Sequence, residues 1–163
     1  MSVTDELVRG NAAYAGAFDL GELPARPARR VAIVTCMDAR MDPLAMLGLR
    51  PGDAHVIRNA GGAVTDDAIR SLAISQRMLG TEEIVLIHHT GCGMLGVSDD
   101  AFRRALEAET GVRPAWAAEG FPDLEAEVRQ SLARVAASPF LLRKDRVRGF
   151  VYDVETGRLR EVA

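Results

Sequence analysis

The chain has 163 residues, is 48% hydrophobic, and carries 20 Lys and Arg against 23 Asp and Glu for a formal charge of -3. That length suits one domain, residues 1–163, around a single core, and the dispersed, outnumbered basic residues exclude the footprint of a nucleic-acid-binding protein. No apolar run approaches membrane-spanning length and residues 1–20 hold no apolar targeting core, so a cytoplasmic protein with no membrane partner is expected.

Residues 2–17 read as a modestly amphipathic helix, with Ser2 and Thr4 as possible caps and a weak stripe through Val3, Leu7 and Tyr14. Gly10 and the scarcity of large apolar groups make it marginal alone, so it is expected to lean on another surface. Residues 21–30, with two prolines and three arginines, form an extended connector, and residues 1–30 together make an N-terminal arm.

A first strand runs from Val31 to about Thr35 and stops at Cys36, where a small polar loop carries Asp38 and Arg40. Asp42 followed by Pro43 caps a short helix reaching Leu47. Ala54–Arg58 is a second strand, and the loop after it holds Gly61 and Gly62. Thr65 starts a helix with Ala68, Ile69, Leu72, Ala73 and Leu79 on one face and Gly80 past its end. Glu83–His88 is the third strand. A helix from Ser98 is expected to turn Phe102, Ala105 and Leu106 inward, and one from Asp123 to bury Leu124, Val128, Leu132 and Val135. Arg148–Val154 is the fourth strand, and Thr156-Gly157 allows a hairpin into an extra C-terminal strand over 158–162.

Strands alternating with helices predict a three-layer α/β/α domain with a mainly parallel four-stranded sheet. Cys36 and the His89/Cys92 pair both fall at carboxyl ends of strands, the edge where open α/β sheets bind ligands. Each cysteine alone could be a small buried apolar residue. Together with His89, three positions before Cys92, they form a ligand set known from zinc sites with one position left open. A redox pair is the other reading, although no CxxC favours it. His88 competes with His89, but successive strand side chains face opposite ways and the HxxC spacing favours His89. Asp38 and Arg40 read either as a surface ion pair or as a carboxylate held by two parallel hydrogen bonds beside a metal.

These residues resemble the β-class carbonic anhydrases. Cys36-Met37-Asp38-Ala39-Arg40 is similar to the family's CxDxR motif, His89-Thr90-Gly91-Cys92-Gly93 to its HxxCG motif, and Val56–Gly61 to the run between them. The short chain resembles the compact prokaryotic subgroup. The resemblance implies one Zn2+ per chain on Cys36, His89 and Cys92, with Asp38 and Arg40 as the catalytic dyad. It also implies interconversion of carbon dioxide and bicarbonate, in a homodimer or dimer of dimers. On that reading zinc lowers the pKa of water, and the hydroxide formed attacks CO2. Hydrolysis of CS2 or COS on the same fold, or a zinc-binding relative with a regulatory or structural role, stays open from sequence.

Overall fold

The computed structural model describes residues 2–162. Its centre is the apolar run predicted as the first strand, β1 (Val31–Cys36), of which five of six residues are buried. A strand covered on both faces needs no polar alternation, which is why the run reads as continuous. Around it lie β2 (Ala54–Asn59), β3 (Glu83–His89), β4 (Val147–Tyr152) and β5 (Leu159–Val162), in the spatial order β2-β1-β3-β4-β5. The first four are parallel, and β5 returns antiparallel to β4. The extra C-terminal strand is therefore present, giving five strands, and β2 and β3 each run one residue further than the pattern suggested.

The helices are α1 (Val3–Gly16), α2 (Pro43–Met46), α3 (Asp66–Leu79), α4 (Asp99–Thr110) and α5 (Leu124–Ala137). α3 begins where the Thr65 side chain accepts from the Ala68 amide and ends at Gly80 in the left-handed conformation. Asp123 caps α5 in the same way, accepting from the Ala126 amide. Both helices cover one face of the sheet, where Leu72 of α3 and Val135 of α5 meet Ala32, Val34, Ile84 and Leu86. α5 approaches β4 closely: a Cβ on Gly149 would collide with Val128 Cγ1. The opposite face, with Ile33, Val85 and Ile87, is covered by Met46 of α2 and by Met41, Leu47 and Leu49 beside it. The layers are thus unequal in thickness.

Two helices stand apart from this core. α1 has a reciprocal cap between Ser2 and Asp5 but buries no residue, and Val3 and Leu7 are 71% and 69% exposed. α4 corrects the sequence reading: it buries none of its residues, Ala105 and Phe102 are exposed, and Leu106 is only half-buried. Its apolar stripe leans on the following loop instead of the sheet. Phe102 lies 6.4 Å from the Trp116 ring, and Arg103 Nε donates to the Pro114 carbonyl.

Candidate metal centre

The parallel register between β1 and β3 sets Thr35 beside Ile87, so both strands end at one level and deliver Cys36 and His89 to the same edge. Thr35 secures the register by donating its hydroxyl to the Ile87 carbonyl, at 2.9 Å. After β3 the chain turns through Gly91, at φ +63, and brings Cys92 back under His89. The Cys36, His89 and Cys92 donor atoms all lie within 4.8 Å of one another, and all three residues are buried. His88 points to the other face, as strand alternation requires, and no residue has to be exchanged in the predicted cluster.

His89 Nδ1 lies 2.9 Å from the Thr90 carbonyl. A carbonyl only accepts, so Nδ1 carries the proton and Nε2 presents a lone pair. That Nε2 is buried and has no hydrogen-bond partner. An orphaned imidazole lone pair facing two thiols is the donor arrangement of a soft or borderline metal ion, so the residues fit zinc. The Cys36 thiol is shifted well down, first by its hydrogen bond with Cys92 and further by His89 and nearby backbone groups, against the opposing effect of burial. Cys92 is pushed up by the same pairing and by burial. Burial pulls the His89 pKa down, but Cys36, the Thr90 carbonyl and Asp38 outweigh it and the net shift is upward. Binding a metal displaces the protons these groups share.

Asp38 stands at the mouth of this cluster, with Oδ2 3.7 Å from His89 Nε2. Arg40 reaches it with Nε on Oδ1 at 2.9 Å and Nη2 on Oδ2 at 2.7 Å, and its backbone amide also donates to Oδ1. These bonds hold the Asp38 carboxyl well below the usual carboxylate range. Arg40 Nη2 donates as well to the Gly91 carbonyl at 3.0 Å, tying the Cys36 loop to the His89 loop.

One contributor escaped the sequence reading. Arg58 donates from Nε to the Cys36 carbonyl at 2.9 Å and from Nη2 to the Asp38 carbonyl at 2.7 Å, while the Met37 amide donates to the Asn59 carbonyl. It clamps the loop through backbone atoms, which leave no mark on residue types. Gly62, at φ +69, presses against the same loop, since a Cβ there would stand 2.9 Å from the Cys36 nitrogen. A cavity of about 790 Å3 bounded by α3, α5 and residues 115–119, and one of about 490 Å3 lined by Met94, Val97, Phe102 and Trp116, contain none of the five candidate side chains.

Residues 31–122 match the family model described as carbonic anhydrase. Beta-carbonic anhydrase 1 of Mycobacterium tuberculosis is 57% identical over 162 residues, covering 99% of both chains. The chain belongs to the β-carbonic anhydrase family. The crystal structure of a carbonic anhydrase from Streptococcus mutans is similar to this β-carbonic anhydrase with a TM-score of 0.92 and 44% identity, covering 100% of this chain and 99% of that one. A carbon disulfide hydrolase of Acidithiobacillus thiooxidans is more distant, 34% identical and covering 81% of this chain and 76% of its own. Among the described residues, no helix is long and apolar enough to cross a membrane.

Proposed function

We propose that this β-carbonic anhydrase interconverts carbon dioxide and bicarbonate with one zinc ion held by Cys36, His89 and Cys92, and with Asp38 and Arg40 as its catalytic dyad. The observation that carries this is the orphaned His89 Nε2, flanked by two thiols and by a carboxylate that Arg40 holds 3.7 Å away. Zinc in such a site supplies Lewis acidity, bringing the pKa of water toward the range where it is a nucleophile.

The chain's own groups do the rest. Cys36 and Cys92 offer thiolates, and the Thr90 carbonyl fixes the His89 tautomer that leaves Nε2 free. Asp38 Oδ2 accepts a hydrogen bond from the attacking water and turns the water's lone pair toward the carbon of CO2. Arg40 saturates one side of that carboxylate, so Asp38 stays out of the ligand set and the open position stays free. The water oxygen bonds to carbon, one proton leaves to solvent, and bicarbonate departs.

Residues 1–163 form one catalytic domain, with residues 1–30 as arm and connector. The exposed Val3, Leu7, Tyr14 and Phe18 support a homodimer or a dimer of dimers in which the arm is covered by a second copy. Two thiols required as ligands support the cytoplasm, where they stay reduced. The higher identity to a carbonic anhydrase than to carbon disulfide hydrolases favours CO2 over CS2 as substrate. Stopped-flow CO2 hydration, run beside CS2 and COS hydrolysis on a sample of measured zinc content, tests the assignment. Fast CO2 hydration with one zinc per chain is expected; a zinc-loaded protein inert toward CO2 would overturn it.

A further inference from the structure

His89 takes its orientation from a carbonyl that lies outside the strand. Nδ1 donates to the Thr90 carbonyl at 2.9 Å, so the ring stands where the peptide between Thr90 and Gly91 puts it. Glycine sets few limits on its own dihedrals, and Gly91 turns at φ +63, so the far side of that peptide has no fixed orientation of its own. Other bonds have to supply one. Beyond Gly91 the hold comes from Arg40 Nη2 on the Gly91 carbonyl. On the near side it comes from Thr90.

Thr90 is bonded at three points. Its amide donates to the Tyr152 carbonyl at 2.9 Å, its carbonyl accepts from His89, and its hydroxyl oxygen accepts from the Val154 amide at 3.1 Å. The first bond extends the ladder in which His89 pairs with Tyr152 at the end of β4. The third reaches past the strand to the turn that leads into β5. Asp153 caps that turn as a capping residue starts a helix: Oδ1 accepts from the amides of Glu155 at 2.9 Å and Thr156 at 3.4 Å, and its carbonyl accepts from the Gly157 amide at 2.8 Å. The Val154 amide points out of the turn and onto Thr90. A β-branched side chain has few χ1 choices, so holding Oγ1 also holds the backbone at the Thr90 Cα and with it the direction of the carbonyl.

We infer that Thr90 is a positioning residue whose hydroxyl, held by the Val154 amide, sets the carbonyl that orients His89 toward the metal, given the ligand role assigned to His89 above. The turn between β4 and β5 thus acts on the metal centre through one backbone amide. A partner on the non-ligating nitrogen fixes the ring orientation of a histidine ligand, and loss of such a partner typically changes metal affinity by roughly 10- to 100-fold.

Two variants remove the same bond from opposite ends. Thr90→Val keeps the branched shape and loses the acceptor, while Val154→Pro loses the donor at the first position after a cap, where proline fits. The full chain is loaded with zinc, its affinity is measured by chelator competition, and the His89 Nδ1–H resonance is followed by 15N-edited NMR. Each single variant is expected to bind zinc roughly tenfold more weakly, with the His89 resonance shifted and its proton exchanging faster. The double variant is expected to be no weaker than the weaker single, and Thr90→Ser to behave as the parent. If Thr90→Val does not fold, Val154→Pro carries the same expectation. Folded variants with the parent's affinity and resonance would overturn the inference, as would losses that add in the double variant. A weaker affinity with the resonance unmoved would mean that Thr90 only steadies the loop, which also overturns it. Turnover is not read: a parent that binds no zinc would sink the ligand assignment and this inference together, whereas unaltered variants of a zinc-binding parent would sink this inference alone.

Discussion

Arg40 grips Asp38 by two side-chain bonds, Nε on Oδ1 at 2.9 Å and Nη2 on Oδ2 at 2.7 Å, although the arginine side chain is 52% exposed. An exposed ion pair adds little stability, so the value of this grip lies in where it leaves the carboxylate. Arg40→Ala frees Asp38, whose Oδ2 already lies 3.7 Å from His89 Nε2, to turn toward the metal position and compete for it. The variant is expected to keep its zinc and fold, to lose CO2 hydration by roughly 100-fold at neutral pH, and to show Asp38 in the ligand set by crystallography. Near-normal hydration with Asp38 unmoved would reduce the dyad to a surface salt bridge.

Cys36→Ser and Cys92→Ser are expected to lose zinc and activity together, because a neutral hydroxyl is a poor substitute for thiolate in a buried site. Elemental analysis of the two purified variants decides it. Full zinc occupancy in both would place the ion elsewhere.

Arg58 acts on the same loop from behind, through the carbonyls of Cys36 and Asp38. Arg58→Ala is expected to lower kcat by roughly tenfold with zinc content unchanged, since the ligands remain while the aim of Asp38 loosens. Arg58→Lys, with one cationic group in place of the fork, recovers only part. Unaltered kcat in Arg58→Ala would mean that the Asn59 carbonyl and Arg40 suffice to hold the loop.

What was legible in the sequence divides along physical lines. β1 and β3 announce themselves because buried parallel strands are continuous apolar runs, and Cys36, His89 and Cys92 stand out because ligand chemistry is carried by residue type at strand ends. The Arg58 clamp grips the carbonyls of Cys36 and Asp38, backbone groups common to every residue, so no letter at those positions marks it. α4 was misread for a different reason: Phe102 and Leu106 make an apolar stripe, but the stripe does not say whether the sheet or a loop lies against it.

The arm poses the same question of what covers a stripe. α1 has its cap but no buried residue, and an isolated helix of 14 residues is marginal in water. Leu7→Asp is expected to shift the protein from dimer toward monomer and to lower thermal stability at low concentration. Sedimentation velocity at micromolar protein checks this, and a parent that is already a stable monomer would rule out the arm exchange.

The buried carboxyl of Glu127 gives the stability a pH dependence that can be signed. Burial raises its pKa, Glu119 adds to the rise, and Arg134 and the Ser131 hydroxyl oppose it. The folded chain therefore keeps this proton at pH values where the unfolded chain, with an ordinary value of 4.5, has released it. Stability tied to the neutral carboxyl is complete below the unfolded value and is lost as pH rises from there through the folded value. Glu127→Gln stays neutral throughout. Thermal melts should give the variant a higher Tm than the parent at neutral and mildly alkaline pH, with the gap closing as pH falls below 4.5. A constant gap across that range, or a variant less stable at alkaline pH, would show that Glu127 is held as a charged group by Arg134 and that its proton plays no part in the core.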